Sequence, residues 1–241
     1  MATYSELELR YVRPVARAIL EESTFRRWLL AGTRLGDAIV PACPVDREVQ
    51  ASLRSPTMKN EYWFNYWCGK DSKCACRIGT GTETDILFIL GCPDGRCLAL
   101  HIEVKRPGEH LSDGQAESYP RRAACWANPD TRPRTVPLHQ DFLTALVCGR
   151  ELASDPRIQH FDRVVFHDEI ARRIKAYPEP ETGRDGDQTA PPNDRREYTS
   201  HRNPRPLPAD RLDCPKSGGG PPPAMPRSSP GRRYLRNASR G

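Results

Sequence analysis

The hydrophobic pattern of the chain is dominated by two apolar runs with a turn between them. Residues 84–90 and 97–105 are mostly apolar, and a Pro-Asp-Gly sequence lies between them. Near-continuous apolar runs are typical of strands buried on both faces, and the turn residues predict that the two strands form a β-hairpin. A hairpin that is symmetric about Asp94 would place Asp85 directly opposite Glu103, on one face of the sheet.

Helical periodicity and further apolar runs predict the elements around this hairpin. Val15 and Ile19 recur at helical spacing within residues 11–22, and the same helix or a second one continues to Gly32. The aromatic cluster at 61–67 is more typical of core packing than of base stacking, which stays the alternative. This order of elements is typical of an α/β domain with a mixed sheet. The other predicted elements are a short apolar element at 38–40, a helix from Ser112 or Asp113 to Trp126, strands at 142–149 and 160–167, and a helix from Asp168 to Tyr177.

Composition divides the chain into a domain at 1–177 and a tail at 178–241. The large apolar side chains lie almost entirely in the first part, whereas the tail is rich in Pro, Gly, Arg, Ser and Asp. Such a segment buries too little apolar surface to offset its ordering entropy, so we predict that the tail is disordered. It supplies about +4 of the formal net charge of +6. Three interpretations stay open: non-specific binding to nucleic-acid phosphates, a solvated tail with no role, or an extension produced by an out-of-frame reading.

Cysteine usage and hydropathy indicate the compartment. The nine cysteines are odd in number and irregularly spaced, which predicts reduced thiols rather than a disulfide framework. No apolar run approaches the roughly 18 residues of a membrane-spanning helix, and the first residues lack the apolar core of a signal peptide. We therefore expect a cytoplasmic protein with no membrane partner. A structural zinc site is a minor alternative, with Cys68, Cys74 and Cys76 as ligands beside Cys92 and Cys97.

Three ionisable residues on the predicted hairpin carry the strongest chemical signal. Asp85 and Glu103 would repel each other across the two strands, and Lys105 would lessen that repulsion without removing it. A divalent cation would remove it, because carboxylate oxygens and substrate phosphates are the usual surroundings of Mg²⁺. The alternative is an ordinary hairpin whose polar face meets solvent. Three charges on strands that are apolar on both faces are costly unless they form a site, so we predict a metal site for a phosphate-bearing substrate.

The same residues resemble the signature of the PD-(D/E)XK nuclease superfamily, which has an Asp on one core strand and Glu-x-Lys on the next. Here the signature is Asp85 followed by Glu-Val-Lys at 103–105. Gln115 and Tyr119, which share one helical face, resemble the Gln-x-x-x-Tyr helix of exonuclease-like branches of that superfamily. The resemblance implies a restriction-endonuclease-like core, in which a mixed β-sheet is flanked by helices in the order αβββαβ.

The resemblance also implies a set of catalytic roles. Mg²⁺ (or Mn²⁺) would be held by Asp85, Glu103 and the backbone carbonyl of Val104. Lys105 would lower the pKa of the attacking water or stabilise the transition state. The remaining catalytic candidates, which would orient Lys105 or a phosphate oxygen, are Gln115 and Tyr119.

Several other residues are candidates for supporting roles. An acidic residue on the first helix, Glu22 or Glu21, would reach the metal region, with a solvated helix charge as the alternative. His110 could approach the substrate. The remaining candidates are Arg121 and Arg122, which could contact phosphate, and His101, which is expected in the core or behind the site.

The function implied is that of a metal-dependent nuclease, a Mg²⁺-dependent deoxyribonuclease that hydrolyses phosphodiester bonds in nucleic acid, with DNA as the expected substrate. The alternative is a non-catalytic module on the same fold that binds nucleic acid or another protein. Retention of two carboxylates and a lysine favours the enzyme, because a binding module does not need all three.

Overall fold

The structure, a computed structural model, describes residues 6–35, 47–54, 61–68, 76, 83–92 and 95–178. The predicted element at 38–40 and the predicted tail from residue 179 onward lie outside these ranges. The helices are α1 (Glu6–Glu21), α2 (Ser23–Leu30), α3 (Arg47–Ser52), α4 (Gln115–Ala127) and α5 (His167–Ala171), and the strands are β1 (Phe64–Trp67), β2 (Glu83–Gly91), β3 (Cys97–Val104), β4 (Asp141–Cys148) and β5 (Arg163–Phe166).

The five strands form one mixed sheet in the order β1-β2-β3-β4-β5. The pairs β1–β2 and β2–β3 are antiparallel, whereas β3–β4 and β4–β5 are parallel. Parallel neighbours need a long crossover connection, and α4 supplies it between β3 and β4. The fold is therefore α/β, an open mixed sheet flanked by helices, as the hydrophobic pattern predicts.

The predicted hairpin is present with the predicted register. Strand pairs run from Ile86–Ile102 to Gly91–Cys97 and are all centred on position 94. Both strands are buried along nearly their whole length. The register is well defined because a slip by one residue would move every side chain to the other face.

Helices cover both faces of this sheet, which explains why its strands are apolar on both sides. On one face α1 packs against the even-numbered residues of β2 and β3, and α2 packs against α1 and β5; on the other face, α4 packs against the odd-numbered residues of β2 and β3. The first core includes Val15, Ile19, Leu29, Ile86, Phe88, Leu100 and Ile102; the second face has two clusters, which include Leu87, Ile89, Ala99 and Trp126 and Ala116, Tyr119, Leu146 and Phe161.

Strand β1 is an element that the pattern did not predict. It lies within the aromatic cluster, and its side chains include Phe64 on the α1 face and Tyr66 on the α4 face. Trp63 is also buried, whereas Trp67 is 45% exposed. Core packing of the cluster is confirmed for these buried rings. A four-residue strand with aromatic residues on both faces has no polar alternation by which to recognise it.

Two helix boundaries differ from the predicted ones. Helix α1 begins at Glu6, so Pro14 lies inside it rather than near its start and removes one backbone hydrogen bond. Helix α5 ends at Ala171 rather than Tyr177, although Ile174 remains buried in the turns that follow. None of the described helices combines the length and the apolar character needed to cross a membrane.

The prediction that all cysteines are reduced is wrong for two of them. Cys76 and Cys97 are disulfide-bonded. Among the described cysteines, Cys125 and Cys148 are free thiols. An odd count in a chain of this length does not exclude a disulfide, so the cysteine count alone was a weak guide.

Candidate functional site

The site lies at the edge of the sheet where the parallel strands β3, β4 and β5 end. Lys105 follows β3, Gly149 follows β4 and His167 lies just after β5. Strand β2 runs antiparallel to β3, which brings Asp85, near the start of β2, to the same edge. In open α/β sheets, ligands commonly bind beyond the carboxyl ends of the strands.

Asp85 extends the β2–β3 ladder with its side chain. Just beyond the last backbone pair of the two strands, its Oδ2 atom accepts a hydrogen bond of 2.7 Å from the backbone N–H of Val104. Asp85 is 6% exposed. It interacts electrostatically with both Lys105 and Tyr119. Because both of those residues contact Glu103, the two carboxylates share one buried region.

Glu103 is the centre of the site and receives three donors. Its Oε1 atom accepts a hydrogen bond of 2.5 Å from the side-chain amide of Gln115 and lies 2.9 Å from the Lys105 ammonium. Its Oε2 atom accepts a hydrogen bond from the Tyr119 hydroxyl. A buried carboxylate needs such partners to remain charged, and this one is 3% exposed.

Local structure at the start of α4 aims the Gln115 amide at Glu103. The backbone N–H and the hydroxyl of Ser112 both lie 3.1 Å from Gln115 Oε1 and donate to it. The amide nitrogen therefore points the other way, toward Glu103. Neither Ser112 nor Asp113 caps the helix; Gly114, in the left-handed region at φ 70°, precedes its first residue. Glycine adopts that conformation without the strain that a Cβ would add.

Tyr119 is fixed as a hydrogen-bond donor. Burial raises the pKa of its hydroxyl well above the ordinary value, and the negative charges of Glu103 and Asp85 raise it further. Its ring packs against Phe161, with centroids 5.1 Å apart. The hydroxyl thus stays protonated and donates to the carboxylate. Gln115 and Tyr119 therefore contact Glu103. Their role in orienting Lys105 or a phosphate oxygen, which the resemblance implies, stays a prediction.

Lys105 is held as a cation between two carboxylates. Burial lowers the pKa of its ammonium, but Glu103, Glu109 and Asp85 outweigh that effect, and the pKa lies above the ordinary lysine value. The Glu109 Oε1 atom is 3.5 Å from the ammonium. Sequence reasoning did not single out Glu109; its only signal was a position four residues after Lys105, in a segment predicted as loop.

His167 anchors the backbone at the end of β3, a role that sequence reasoning also did not find. Its Nε2 atom lies 2.7 Å from the Lys105 carbonyl oxygen, and its Nδ1 atom lies 2.7 Å from the Tyr177 hydroxyl. A carbonyl oxygen only accepts, so Nε2 carries the proton and Nδ1 accepts from the tyrosine. Burial lowers the pKa of His167. The neutral imidazole thus links the C-terminal part of the domain to the lysine-bearing strand end.

The structure does not bring Glu22 or Glu21 to the carboxylates. Both side chains are exposed at the junction of α1 and α2. Near the start of α1, the ring of Tyr11 lies 4.9 Å from that of His167. Glu21 lies ten residues further along the same helix, about 15 Å away along its axis. Which part of α1 lies near the carboxylates depends on how the helix packs on the sheet, and the sequence did not reveal that packing.

The other supporting candidates take different places. Arg122 is 1% exposed and donates from Nε to Thr84 at 3.1 Å, so it is an internal residue and does not face an approaching phosphate. Arg121 and His110 are exposed. His101 is fully buried, as expected of a core residue, and burial, followed by His139 and Arg122, lowers its pKa well below the ordinary value.

The donor set suits a hard cation better than zinc. The described residues contain no group of three or more His, Cys, Asp or Glu side chains arranged to hold a metal. Asp85 and Glu103 are two carboxylates, and Mg²⁺ commonly binds to one or two carboxylates and completes its shell with water and phosphate. Val104 contacts Asp85 through its N–H, and the role of its carbonyl as a ligand stays a prediction. In the zinc alternative, disulfide bonding occupies Cys76 and Cys97, and Cys74 lies outside the described residues.

Comparison with protein-family models, with curated proteins and with solved structures gives no match for this chain. The chemistry of the site is therefore inferred from the residues of this chain alone.

Proposed function

We propose that this chain is a metal-dependent nuclease that hydrolyses phosphodiester bonds in nucleic acid, with DNA as the expected substrate. The observation that carries the proposal is the buried set of Asp85, Glu103 and Lys105, in which the lysine lies 2.9 Å from a carboxylate that has two further donors. Three ionisable side chains buried together are more typical of a functional site than of a purely structural part of a domain. The cytoplasmic location stays a prediction.

The order of elements supports a restriction-endonuclease-like core as part of the proposal. Within the described ranges, the helices α1, α2 and α3 come first and are followed by three consecutive antiparallel strands, a helix and a parallel strand. The run thus contains the αβββαβ order that the Asp and Glu-x-Lys motif implies, with further helices before the strands, and the motif lies at the strand ends.

Mg²⁺ or Mn²⁺, when bound, would activate water and neutralise charge on the scissile phosphate. Asp85 and Glu103 would hold it, with the carbonyl of Val104 as the predicted third ligand. Gln115 and Tyr119 each donate a hydrogen bond to the Glu103 carboxylate and thereby fix its orientation. These two residues are therefore positioning residues.

Lys105 supplies positive charge beside the phosphate. Because its pKa is raised, the side chain remains protonated at neutral pH and cannot act as a general base. A fixed cation near the oxygens that gain charge in the transition state stabilises that state more than the ground state. Removal of one such group typically costs about 10² to 10³ in kcat.

Cleavage assays on single-stranded, linear double-stranded and circular DNA, and on RNA, with Mg²⁺ or Mn²⁺, test the proposal. We expect wild type to cleave, and Asp85→Asn and Lys105→Met to lose about 10²-fold or more in rate. Glu22→Gln is the matched control, because it removes a carboxylate that is exposed at the junction of α1 and α2, and it should cleave like wild type.

Equal cleavage by wild type, Asp85→Asn and Lys105→Met would assign the activity to a contaminant. Metal and DNA binding by wild type without any cleavage would favour the non-catalytic module instead. Circular DNA separates endonuclease from exonuclease action, because an exonuclease needs an end.

A further inference from the structure

Lys105 lies between two carboxylates, of which only one belongs to the proposed metal site. Its ammonium is 2.9 Å from Oε1 of Glu103 and 3.5 Å from Oε1 of Glu109. The Glu103 side chain is 4% exposed, whereas that of Glu109 is 28% exposed. The ammonium therefore stands between a buried carboxylate and one at the rim of the site.

A cation on Glu103 and the ammonium of Lys105 would compete for one oxygen. Oε1 of Glu103 is the atom that Lys105 contacts, while Oε2 accepts from Tyr119. Two positive charges a few ångströms apart repel strongly where water is largely excluded. The ammonium has to leave Glu103 for the cation to bind, and Glu109 is a second carboxylate within ion-pair distance of it.

Glu109 is held in place to receive the ammonium. Its Oε2 atom accepts from the backbone N–H of Arg106 at 3.1 Å and from the Arg106 Nε atom at 3.3 Å. These contacts fix one carboxylate oxygen in the loop and leave Oε1 directed at Lys105. An anchored acceptor costs less side-chain entropy to use than a mobile one.

We propose that Glu109 is a positioning residue that takes over the Lys105 ammonium when a divalent cation occupies Glu103. The inference rests on the proposed function, because it requires that cation. Glu109 keeps the lysine near the rim of the site, where a phosphate would bind, and prevents it from blocking the metal. Glu109 neither ligates the metal nor touches the reacting atoms.

A double-mutant cycle on metal affinity tests the inference without any cleavage measurement. Mn²⁺ and Mg²⁺ are titrated calorimetrically into the full chain as wild type, Glu109→Gln, Lys105→Met and the double variant. Glu109→Gln should weaken metal binding about tenfold, because the ammonium then stays on Glu103. Lys105→Met should tighten it. In the Lys105→Met background, Glu109→Gln should change the affinity by less than about twofold.

Glu151→Gln is the matched control. Glu151 supports the same loop, because its Oε1 atom accepts from the backbone N–H of Gly108 at 2.7 Å. The substitution removes the same charge but no contact with Lys105, and it should leave metal affinity within about twofold of wild type. Glu109→Ala is a second variant at the test position and should change the metal affinity by the same factors as Glu109→Gln.

Two results would overturn the inference alone. If Glu109→Gln changes the metal affinity equally in the wild-type and Lys105→Met backgrounds, Glu109 acts on the metal directly or through space, and not through Lys105. An unchanged affinity in Glu109→Gln would mean that the lysine needs no second partner. A wild-type chain that binds neither cation would overturn both this inference and the proposed function, whereas binding without cleavage would overturn only the catalytic proposal.

Discussion

The carboxylate of Asp85 accepts a hydrogen bond of 2.7 Å from the backbone N–H of Val104. The side chain of Asp85 on β2 thus takes the place of a backbone carbonyl as the acceptor for an N–H of β3, just beyond the last backbone pair of the two strands. A carboxylate has two oxygens and several lone pairs, so it can accept this bond and ligate a cation at the same time. Asp85 therefore has a structural role and a proposed chemical role that substitutions can separate.

Asp85→Asn should separate those two roles. The asparagine oxygen can still accept from Val104, and loss of the charge removes both the repulsion with Glu103 and the attraction to Lys105, so the free energy of unfolding should stay within about 1 kcal/mol of that of wild type. Asp85→Ala leaves the buried N–H without an acceptor and should lower it by about 1–3 kcal/mol. Urea denaturation measures both values, and calorimetry should show that both variants lose Mn²⁺ affinity by about 10²-fold or more. Equal destabilisation by the two substitutions would contradict the structural role.

Tyr119→Phe should destabilise the domain through Glu103. The substitution leaves a buried carboxylate oxygen without its donor, which should lower the free energy of unfolding by about 1–3 kcal/mol. Tyr62→Phe is the matched control, because the Tyr62 hydroxyl is buried and has no hydrogen-bond partner among the residues that the structure describes. Its removal should be neutral or slightly stabilising. Urea denaturation at neutral pH compares the two, and similar losses would count against the Glu103 contact.

His167→Gln should preserve part of what His167→Leu loses. A glutamine amide can donate to the Lys105 carbonyl as Nε2 does, whereas leucine leaves that oxygen without its donor. We expect His167→Leu to lower both the free energy of unfolding, by about 1–3 kcal/mol, and the cleavage rate, with His167→Gln between it and wild type. Tyr177→Phe removes the hydroxyl that faces Nδ1 and should have a smaller effect. If His167→Gln loses as much stability and cleavage rate as His167→Leu, the hydrogen bond to the Lys105 carbonyl does not account for the losses.

Acid should destabilise the domain partly through His139. Burial lowers the pKa of this residue from its ordinary 6.5 to about 4 in the folded state. Between those values the unfolded chain binds a proton that the folded chain does not, so the free energy of unfolding falls as the pH drops from 6.5 to 4. The loss totals about 3 kcal/mol and does not grow below that range.

His139→Asn isolates this contribution. Nδ1 of His139 lies 2.9 Å from the Pro137 carbonyl and must donate to it, and an asparagine amide can keep that bond without titrating. Urea denaturation at pH 7 and pH 4.5 should show a smaller loss of stability in the variant than in wild type. An identical loss would assign the acid sensitivity to other groups.

The central hairpin and the residues on it could be predicted because their signals are local. The turn sets the register, and the register sets which residues face each other, so Asp85 and Glu103 follow from positions in one short segment. Gln115 and Tyr119 could be placed on one helical face for the same reason. Their partner could not be predicted, because it depends on how α4 crosses the sheet. That crossing directs both side chains to Glu103.

The residues that the sequence did not reveal depend on contacts distant along the chain. His167 lies more than sixty residues after Lys105 and meets it only because β4 and β5 align beside β3. Glu22 was an error of the same kind, since the choice of acidic residue on a helix depends on which helix end lies at the site. Strand β1 was missed for another reason: its neighbours on both faces are apolar, and no periodicity remains.

The mixed sheet has a consequence for the order in which this centre assembles. The β2–β3 hairpin closes a short loop, whereas Glu103 pairs with Leu146 more than forty residues later, and long loops are slow to close. The two acidic side chains should therefore meet while still in water, and the tyrosine and amide donors should reach them only after the crossover helix docks. Interactions formed after the rate-limiting barrier govern how fast a protein unfolds, not how fast it folds. The α4 donors should accordingly control how long the assembled centre persists.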